Sequence, residues 1–261
     1  ATVLAPRSLP SDRLPVIAWA HGTVGILQEC LPSATVVPFA GIPALDQVMA
    51  AGWVVVAADY AVNADGIHPY IIGEGEGRAV LDAVRAAHHM AELDLDPRTV
   101  VWGHSQGGHS ALWTGQIAGD YAPEIQIAGV AAIAPATNME HIMTLAAGSD
   151  TGDRLGSYLA AGYSAYYPDV VLDEIVTPDA LAAAESMAQL CQFDPADNAT
   201  MQALIDGLGE TPVLVQPFPD AFSERMRQNF PTGDIAAPVL IAQGLADETI
   251  PYVVNDTYVQ E

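Results

Sequence analysis

The sequence predicts an α/β protein whose core is a mostly parallel β-sheet covered by helices. Short apolar runs, typical of strands buried on both faces, alternate with stretches of helical spacing through the first half of the chain. Strands and helices that alternate in this way favour a parallel sheet, in which functional residues gather at the carboxyl ends of the strands. The predicted strands cover residues 16–20, 52–59, 100–103 and 125–134, and the predicted helices cover 42–51, 76–91 and 108–118.

The segment from residue 137 to residue 236 has a different pattern. Helical stretches follow one another, separated by prolines, and no buried parallel strand is evident between them. An apolar run at 238–244 then resumes the strand pattern. We therefore expect a core made of residues 1–136 and 237–261, with residues 137–236 inserted as a helical cap. The helical stretches cover residues 138–147, 153–166, 178–191, 198–207 and 220–229.

The composition excludes several kinds of function. The chain has 261 residues with 32 acidic residues, eight arginines and no lysine, so its formal net charge is −24. Without lysine, the chain has neither a Schiff-base lysine nor a P-loop lysine, and its charge argues against nucleic acid or anionic lipid as a partner. No apolar run approaches the ~20 residues that a membrane-spanning helix needs.

Cys30 and Cys191 are the two cysteines of the chain, too few and too distant in sequence for a metal site. In a reducing compartment they would be two thiols. In a secreted protein they would form one disulfide that closes a loop of about 160 residues. The spacing alone leaves both states open.

A Gly-x-Ser-x-Gly motif at residues 103–107 stands between a predicted strand and a predicted helix. A nucleophile elbow requires this context, because its sharp turn holds the serine hydroxyl over the first turn of a helix, where negative charge is stabilised. Gly103 and Gly107 fit the turn because side chains at those positions would collide. Ser105 is therefore predicted to be a nucleophile. A tight turn with a surface serine is the alternative interpretation.

A serine nucleophile needs a histidine base, a carboxylate that orients the histidine, and two N–H donors for the oxyanion. Gln106 follows the serine, so its N–H is one predicted donor. The loop after the first strand, His21-Gly22-Thr23, is expected to supply the second donor from the N–H of Thr23. Asp247, in a loop after the late strand, is the predicted orienting acid. Its alternative role is an N-cap for the helix after Pro251.

These motifs together resemble the α/β-hydrolase superfamily, and more closely the secretory lipase family that includes the fungal lipase A type. The resemblance covers nearly all 261 residues. It implies a secreted serine ester hydrolase that acts on acylglycerols or simpler esters, with a helical cap over the site. It also implies that Cys30 pairs with Cys191. The stretches that carry it are Ala18-Trp19-Ala20-His21-Gly22-Thr23 followed by Cys30-Leu31-Pro32-Ser33, Ala58-Asp59-Tyr60, Leu81-Asp82-Ala83-Val84-Arg85-Ala86-Ala87, Trp102-Gly103-His104-Ser105-Gln106-Gly107-Gly108, Tyr166-Tyr167-Pro168, and Pro238-Val239-Leu240-Ile241-Ala242-Gln243-Gly244 with Asp247.

One departure from the family pattern concerns the base. In the superfamily the triad histidine follows the acid by some tens of residues, whereas all seven histidines here precede residue 142. We interpret them as bystanders or structural residues and expect the base in a longer chain, beyond Glu261, of which these residues are a fragment. No histidine pair has a spacing that brings in a carboxylate, so we expect no metal and no cofactor. The seven are His21, His68, His88, His89, His104, His109 and His141.

The sequence therefore predicts a secreted carboxylic ester hydrolase, a lipase or an esterase, that forms an acyl-enzyme on Ser105. Its partners would be a small ester or acylglycerol and, through the cap, a lipid interface. We expect no nucleic acid as a partner, and the sequence does not indicate an oligomeric state. A ligand-binding α/β-hydrolase domain that lacks a base is one alternative. A serine peptidase that shares the elbow is the other.

Overall fold

The fold is built on a six-stranded sheet in a computed structural model that describes residues 1–7 and 13–260. The strand order is β1-β3-β2-β4-β5-β6, and every neighbouring pair is parallel except β1 and β3. The mostly parallel sheet predicted from the sequence is thus confirmed. The strands are Thr2–Leu4 (β1), Leu14–Ala20 (β2), Val54–Ala58 (β3), Leu95–His104 (β4), Gln126–Ile133 (β5) and Val239–Ala242 (β6).

The register of the central strands aligns their carboxyl ends. Ala20 of β2 pairs with Gly103 of β4, and Gly103 pairs with Ala132 of β5. Ile133 of β5 in turn pairs with Ala242 of β6. The loops that follow β2, β4, β5 and β6 therefore start at the same edge of the sheet, where parallel sheets collect functional residues.

Helices cover both faces of the sheet, as the apolar strands require. Alternate residues of β2 point to opposite faces: Ala18 packs in the cluster formed with α2 and α3, whereas Trp19 packs in the cluster formed with α1. These helices are Leu45–Ala50 (α1), Gly73–His88 (α2) and Gln106–Tyr121 (α3).

Six further helices lie between β5 and β6, where the cap was predicted. They share one hydrophobic cluster with Ile26, residues 70–72, Ile250 and Val254. Within it, Tyr158, Leu159, Tyr163 and Phe222 are almost fully buried. The helical content of this segment is confirmed, while the division at residues 136 and 236 stays a prediction. The helices are Met139–Leu145 (α4), Asp150–Tyr166 (α5), Leu172–Ile175 (α6), Leu181–Met187 (α7), Pro195–Leu208 (α8) and Asp220–Gln228 (α9), and Tyr252–Gln260 (α10) follows β6.

A disulfide joins the two parts of the chain. Cys30 and Cys191 are bonded, with their Cα atoms 5.2 Å apart across a sequence separation of 161 residues. Cys30 follows β2, and Cys191 lies between α7 and α8, so the bond ties the loop after the central strand to the helical segment. None of the helices in the described ranges is both long and apolar enough to cross a bilayer.

Candidate active site

Ser105 lies at the corner between β4 and α3. Its backbone has φ 58° and ψ −119°, a conformation that residues with a side chain rarely adopt. The N–H of Ser105 donates to the carbonyl of Ile133 over 2.9 Å, and its own carbonyl accepts the N–H groups of His109 and Ala136 over 3.1 and 3.2 Å. The turn is therefore held by the end of β5 on one side and by the first turn of α3 on the other.

Gly103 lets this turn close. A Cβ built on Gly103 would lie 1.9 Å from the carbonyl oxygen of Gly107, far inside contact distance. A side chain at residue 103 would therefore push the start of α3 away from the end of β4. The side chain of Ser105 is half-buried, so its hydroxyl remains accessible at the carboxyl edge of the sheet.

The loop after β2 lies directly beside the serine. A Cβ built on Gly22 would lie 3.8 Å from the Cβ of Ser105. The side chain of Thr23, next in the chain, is buried, and its Oγ1 lies 2.7 Å from the hydroxyl of Tyr70. Within residues 1–7 and 13–260, the N–H groups of Thr23 and Gln106 have no hydrogen-bond acceptor. In the described part of the chain, the residue after Ser105 and the residue after Gly22 thus both have unpaired main-chain N–H groups.

Asp247 lies in the loop that follows β6, at the same edge of the sheet. Its Oδ1 accepts the N–H groups of Thr249 and Ile250, each over 2.9 Å, and its Oδ2 accepts Nε2 of Gln243 over 3.1 Å. These bonds fix a half-buried carboxylate and form an Asx turn. α10 starts at Tyr252, after both residues whose N–H groups Asp247 accepts. Asp247 is therefore not the N-cap of that helix.

No histidine in the described ranges forms a hydrogen bond with Ser105 or Asp247. His21 is buried, and its Nδ1 lies 2.7 Å from the carbonyl of Gly22. Burial lowers the pKa of His21 to about 4, so the ring is neutral near pH 7. His104 is exposed on the elbow. In the same ranges, no group of three His, Cys, Asp or Glu residues is arranged to hold a metal ion.

A family model described as secretory lipase matches residues 31–261. The chain belongs to the secretory lipase family. A secreted triacylglycerol lipase of Malassezia globosa is 30% identical over 191 residues, which are 69% of this chain and 41% of that protein. A probable inactive lipase of Mycobacterium tuberculosis is 26% identical over 277 residues, which are 95% of this chain and 58% of that protein. The chain thus spans about half the length of those two relatives.

The fold is that of the α/β-hydrolases, as predicted. The X-ray structure of Candida antarctica lipase A in its closed state matches this chain with a TM-score of 0.75 at 18% identity. That match covers 99% of this chain and 64% of the other. At this identity the likeness concerns the fold alone.

Sequence reasoning missed a buried polar cluster under the elbow. We call it the Glu76 cluster, made of Glu76, His68, Gln106 and His109. All four are at most 2% exposed. His68 and His109, which we interpreted as bystanders or structural residues, both lie with their rings against the carboxylate of Glu76.

The carboxylate of Glu76 is ionised despite its burial. Burial alone would raise its pKa, but the hydrogen bond from His109 and the charge of that ring hold the pKa well below its usual range. One signal in the sequence points to this residue. Glu76 lies four residues before Val80 on the apolar face of α2, a position where a carboxylate needs buried partners.

Proposed function

We propose that the protein containing this chain is a carboxylic ester hydrolase, a lipase or an esterase, with Ser105 as its nucleophile. The strained turn at Ser105, with φ 58°, is the observation that carries the proposal. A side chain in this conformation costs about 1–3 kcal/mol, and such strain concentrates at functional sites where the surroundings enforce it. A serine in an ordinary surface turn needs neither the strain nor the glycines that permit it.

In the proposed reaction, Oγ of Ser105 attacks the ester carbonyl carbon while a base takes the hydroxyl proton. The carbonyl oxygen becomes an oxyanion, which accepts hydrogen bonds from the N–H groups of Thr23 and Gln106. Collapse of the tetrahedral intermediate breaks the bond to the alcohol oxygen, and the protonated base gives that oxygen its proton. Water then attacks the acyl-enzyme by the same steps and releases the acid. The unpaired state of both N–H groups supports this assignment.

Asp247 is proposed to orient the base and to stabilise it when it is protonated. The base itself stays a prediction, namely a histidine that follows Glu261 in a longer chain. Two observations support a base that follows Asp247 in the sequence. No histidine in the described ranges bonds to Ser105 or Asp247, and the matched relatives extend well beyond the length of this chain.

The proposed substrates are acylglycerols or simpler esters. The name of the Malassezia globosa relative, a secreted triacylglycerol lipase, supports this class. Secretion is part of the proposal, and the disulfide between Cys30 and Cys191 fits an oxidising compartment. We further propose that residues 137–236 act as a cap over the site and contact the lipid interface.

A second candidate function is ligand binding without turnover. The observation that favours it is the 26% identical relative of Mycobacterium tuberculosis, described as a probable inactive lipase and matched over 95% of this chain. In that case the elbow and the cap would bind an ester or a fatty acid, and no acyl-enzyme would form.

The test uses the intact gene product with p-nitrophenyl esters of several chain lengths and with a peptide amide. We expect ester turnover, a fluorophosphonate adduct that maps to Ser105, and a fall in kcat of roughly 10⁴ or more for Ser105→Ala. Fatty-acid binding without turnover would establish the second candidate instead. Preferred cleavage of the amide would indicate a peptidase. An adduct on another serine would refute the assignment of Ser105.

The predicted position of the base has its own test. Residues 1–261 alone should be nearly inert on a short-chain ester, with at most the residual rate that binding and the oxyanion donors supply. The intact gene product is the comparison. Equal activity of the two would mean that one of the seven histidines in these residues is the base.

A further inference from the structure

We infer that Glu76 is a positioning residue that holds both oxyanion donors, the N–H of Gln106 and the N–H of Thr23, in place beside Ser105. The inference rests on the proposed function for the use of these two N–H groups. Glu76 touches neither the substrate nor the serine. It acts through two paths that both start at its Oε1, one to each donor residue.

The first path runs through the side chain of Gln106. Its Nε2 donates to Oε1 of Glu76 over 2.7 Å and to Nε2 of His68 over 2.8 Å. His68 therefore accepts at Nε2 and carries its proton at Nδ1, which donates to the carbonyl of Ala61 over 3.1 Å. Oε1 of Gln106 is buried and unpaired in the described part of the chain. The two hydrogen bonds that Nε2 donates thus hold the amide in this orientation. The bond to Glu76 is the stronger of the two, because its acceptor is charged.

The fixed side chain determines where the backbone of Gln106 lies. Gln106 is the first residue of α3, and its N–H has no intrahelical partner, so the backbone bonds of the helix leave this peptide free to tilt. A buried side chain tied to a carboxylate on the neighbouring helix removes that freedom. Glu76 therefore fixes the direction of the N–H that follows Ser105.

The second path runs through Ile71. This β-branched residue has φ 56°, in the left-handed region where such side chains are strained. Its N–H donates to Oε1 of Glu76 over 3.0 Å, and its carbonyl accepts the hydroxyl of Tyr163 over 3.3 Å. The preceding residue, Tyr70, is 2% exposed, and its hydroxyl lies 2.7 Å from Oγ1 of Thr23. The carboxylate thus holds the strained backbone at Ile71, and Tyr70, the residue before it, contacts the side chain of Thr23.

The second carboxylate oxygen of Glu76 faces a histidine ring on α3. His109 Nδ1 lies 3.3 Å from Oε2 of Glu76, and His109 Nε2 lies 2.7 Å from the carbonyl oxygen of Asn229. Both ring nitrogens face oxygen acceptors, so both are satisfied only when both carry a proton. The imidazolium then neutralises a buried anion that would otherwise oppose an oxyanion nearby. This arrangement lets a carboxylate support the oxyanion site without raising the energy of the negative charge formed there.

The first measurement compares three variants of the intact gene product, labelled with ¹⁵N, and a fourth is added below. Glu76→Gln removes the charge at similar volume and should move the amide resonances of both Thr23 and Gln106. Tyr70→Phe removes one hydroxyl and should move the Thr23 resonance alone. Asp153→Asn is the matched control, because Asp153 is also a buried carboxylate that accepts a backbone N–H, that of Val213 over 2.9 Å, within the helical segment. It should move neither resonance.

Turnover provides the second readout. Glu76→Gln should lower kcat about 10- to 100-fold at nearly unchanged KM, because misaligned donors weaken binding of the transition state more than binding of the substrate. Asp153→Asn should keep the wild-type kcat. Glu76→Asp keeps the charge and should recover part of kcat. If Glu76→Gln does not fold, Glu76→Asp and Tyr70→Phe carry the test through the same two resonances.

The inference would be overturned if the amide resonances of Thr23 and Gln106 stayed unchanged in Glu76→Gln, or if they shifted equally in Asp153→Asn. So would a loss of activity that appears entirely in KM. A wild-type protein without turnover dependent on Ser105 would refute the proposed function instead. In that event the amide resonances still decide whether Glu76 positions the two N–H groups.

Discussion

The carbonyl oxygen of Ala20 lies where a side chain on Gly107 would have to be, since a Cβ built on Gly107 would approach it to 2.0 Å. Ala20 is the last residue of β2, and Gly107 is the second residue of α3. The helix that follows the serine therefore starts in direct backbone contact with the central strand. This contact fixes the distance between the elbow and the loop that begins at His21.

Gly107→Ala should lower the free energy of unfolding by about 3 kcal/mol, because the added methyl group collides with backbone atoms that cannot move separately. Gly119→Ala is the matched control in the same helix, where a Cβ meets no atom within 4 Å. It should be neutral or stabilise by about 0.5–1 kcal/mol. Urea unfolding measures both. Similar values for the two variants would contradict the contact.

Ser105→Gly should raise the free energy of unfolding by about 1 kcal/mol while it abolishes turnover, because glycine adopts φ 58° without strain. Ser105→Ala should abolish turnover without this gain, since it keeps the Cβ that causes the strain. Urea unfolding of the two variants side by side measures the difference. Equal stability of the two would mean that the backbone at this position is not strained.

The sheet and the elbow could be predicted because their signals are local. An apolar run followed by Gly-x-Ser-x-Gly and a helical pattern specifies strand, turn and helix within about 20 residues. Strand β1 could not be predicted in this way, because Thr2–Leu4 is too short to show a period. It is a strand because the edge of β3 offers it main-chain partners.

The Glu76 cluster could not be predicted because its members come from three parts of the chain. His68 lies in a loop, Glu76 on α2, and Gln106 and His109 on α3, and only the packing of α2 against α3 brings them together. Sequence spacing carries no information on that packing. The single local sign was a carboxylate at residue 76 on a face shared with Val80.

Stability should fall as the pH falls from 6.5 to 4, in part because of His21. Burial lowers the pKa of His21 from 6.5 to about 4, so below pH 6.5 the unfolded chain takes up a proton that the folded protein does not. The contribution is fully present above pH 6.5 and is lost on the way to pH 4. The loss is about 3 kcal/mol by linkage.

The variant His21→Asn should reduce this pH dependence, because asparagine can donate to the carbonyl of Gly22 but does not titrate. Urea unfolding at pH 7 and at pH 4.5 gives the difference for each protein. The pKa of His88 is also lowered by burial, but His88 is present in both proteins, so its contribution cancels in the comparison. An unchanged pH dependence in the variant would rule out His21 as its source.

Replacing both cysteines, with Cys30→Ser and Cys191→Ser, should lower the free energy of unfolding by about 2–5 kcal/mol, because the disulfide closes a loop of 161 residues. Reduction should lower the stability of the wild type by a similar amount and should leave the double variant unchanged. Two free thiols in a titration of the unreduced, unfolded protein would show that the bond is absent.

The same disulfide makes residues 30–191 a closed covalent ring. Ser105 lies inside the ring, and Asp247 lies outside it, on the tail that leaves at Cys191. A protease that cuts one peptide bond within the ring opens it without releasing a fragment, so the serine stays tethered to the rest of the chain. A single cut after residue 191 has the opposite effect, since it detaches the strand and loop that carry the acid. A cut within the ring, which would divide an unbridged chain into two fragments, thus leaves Ser105 covalently attached to the rest of the chain.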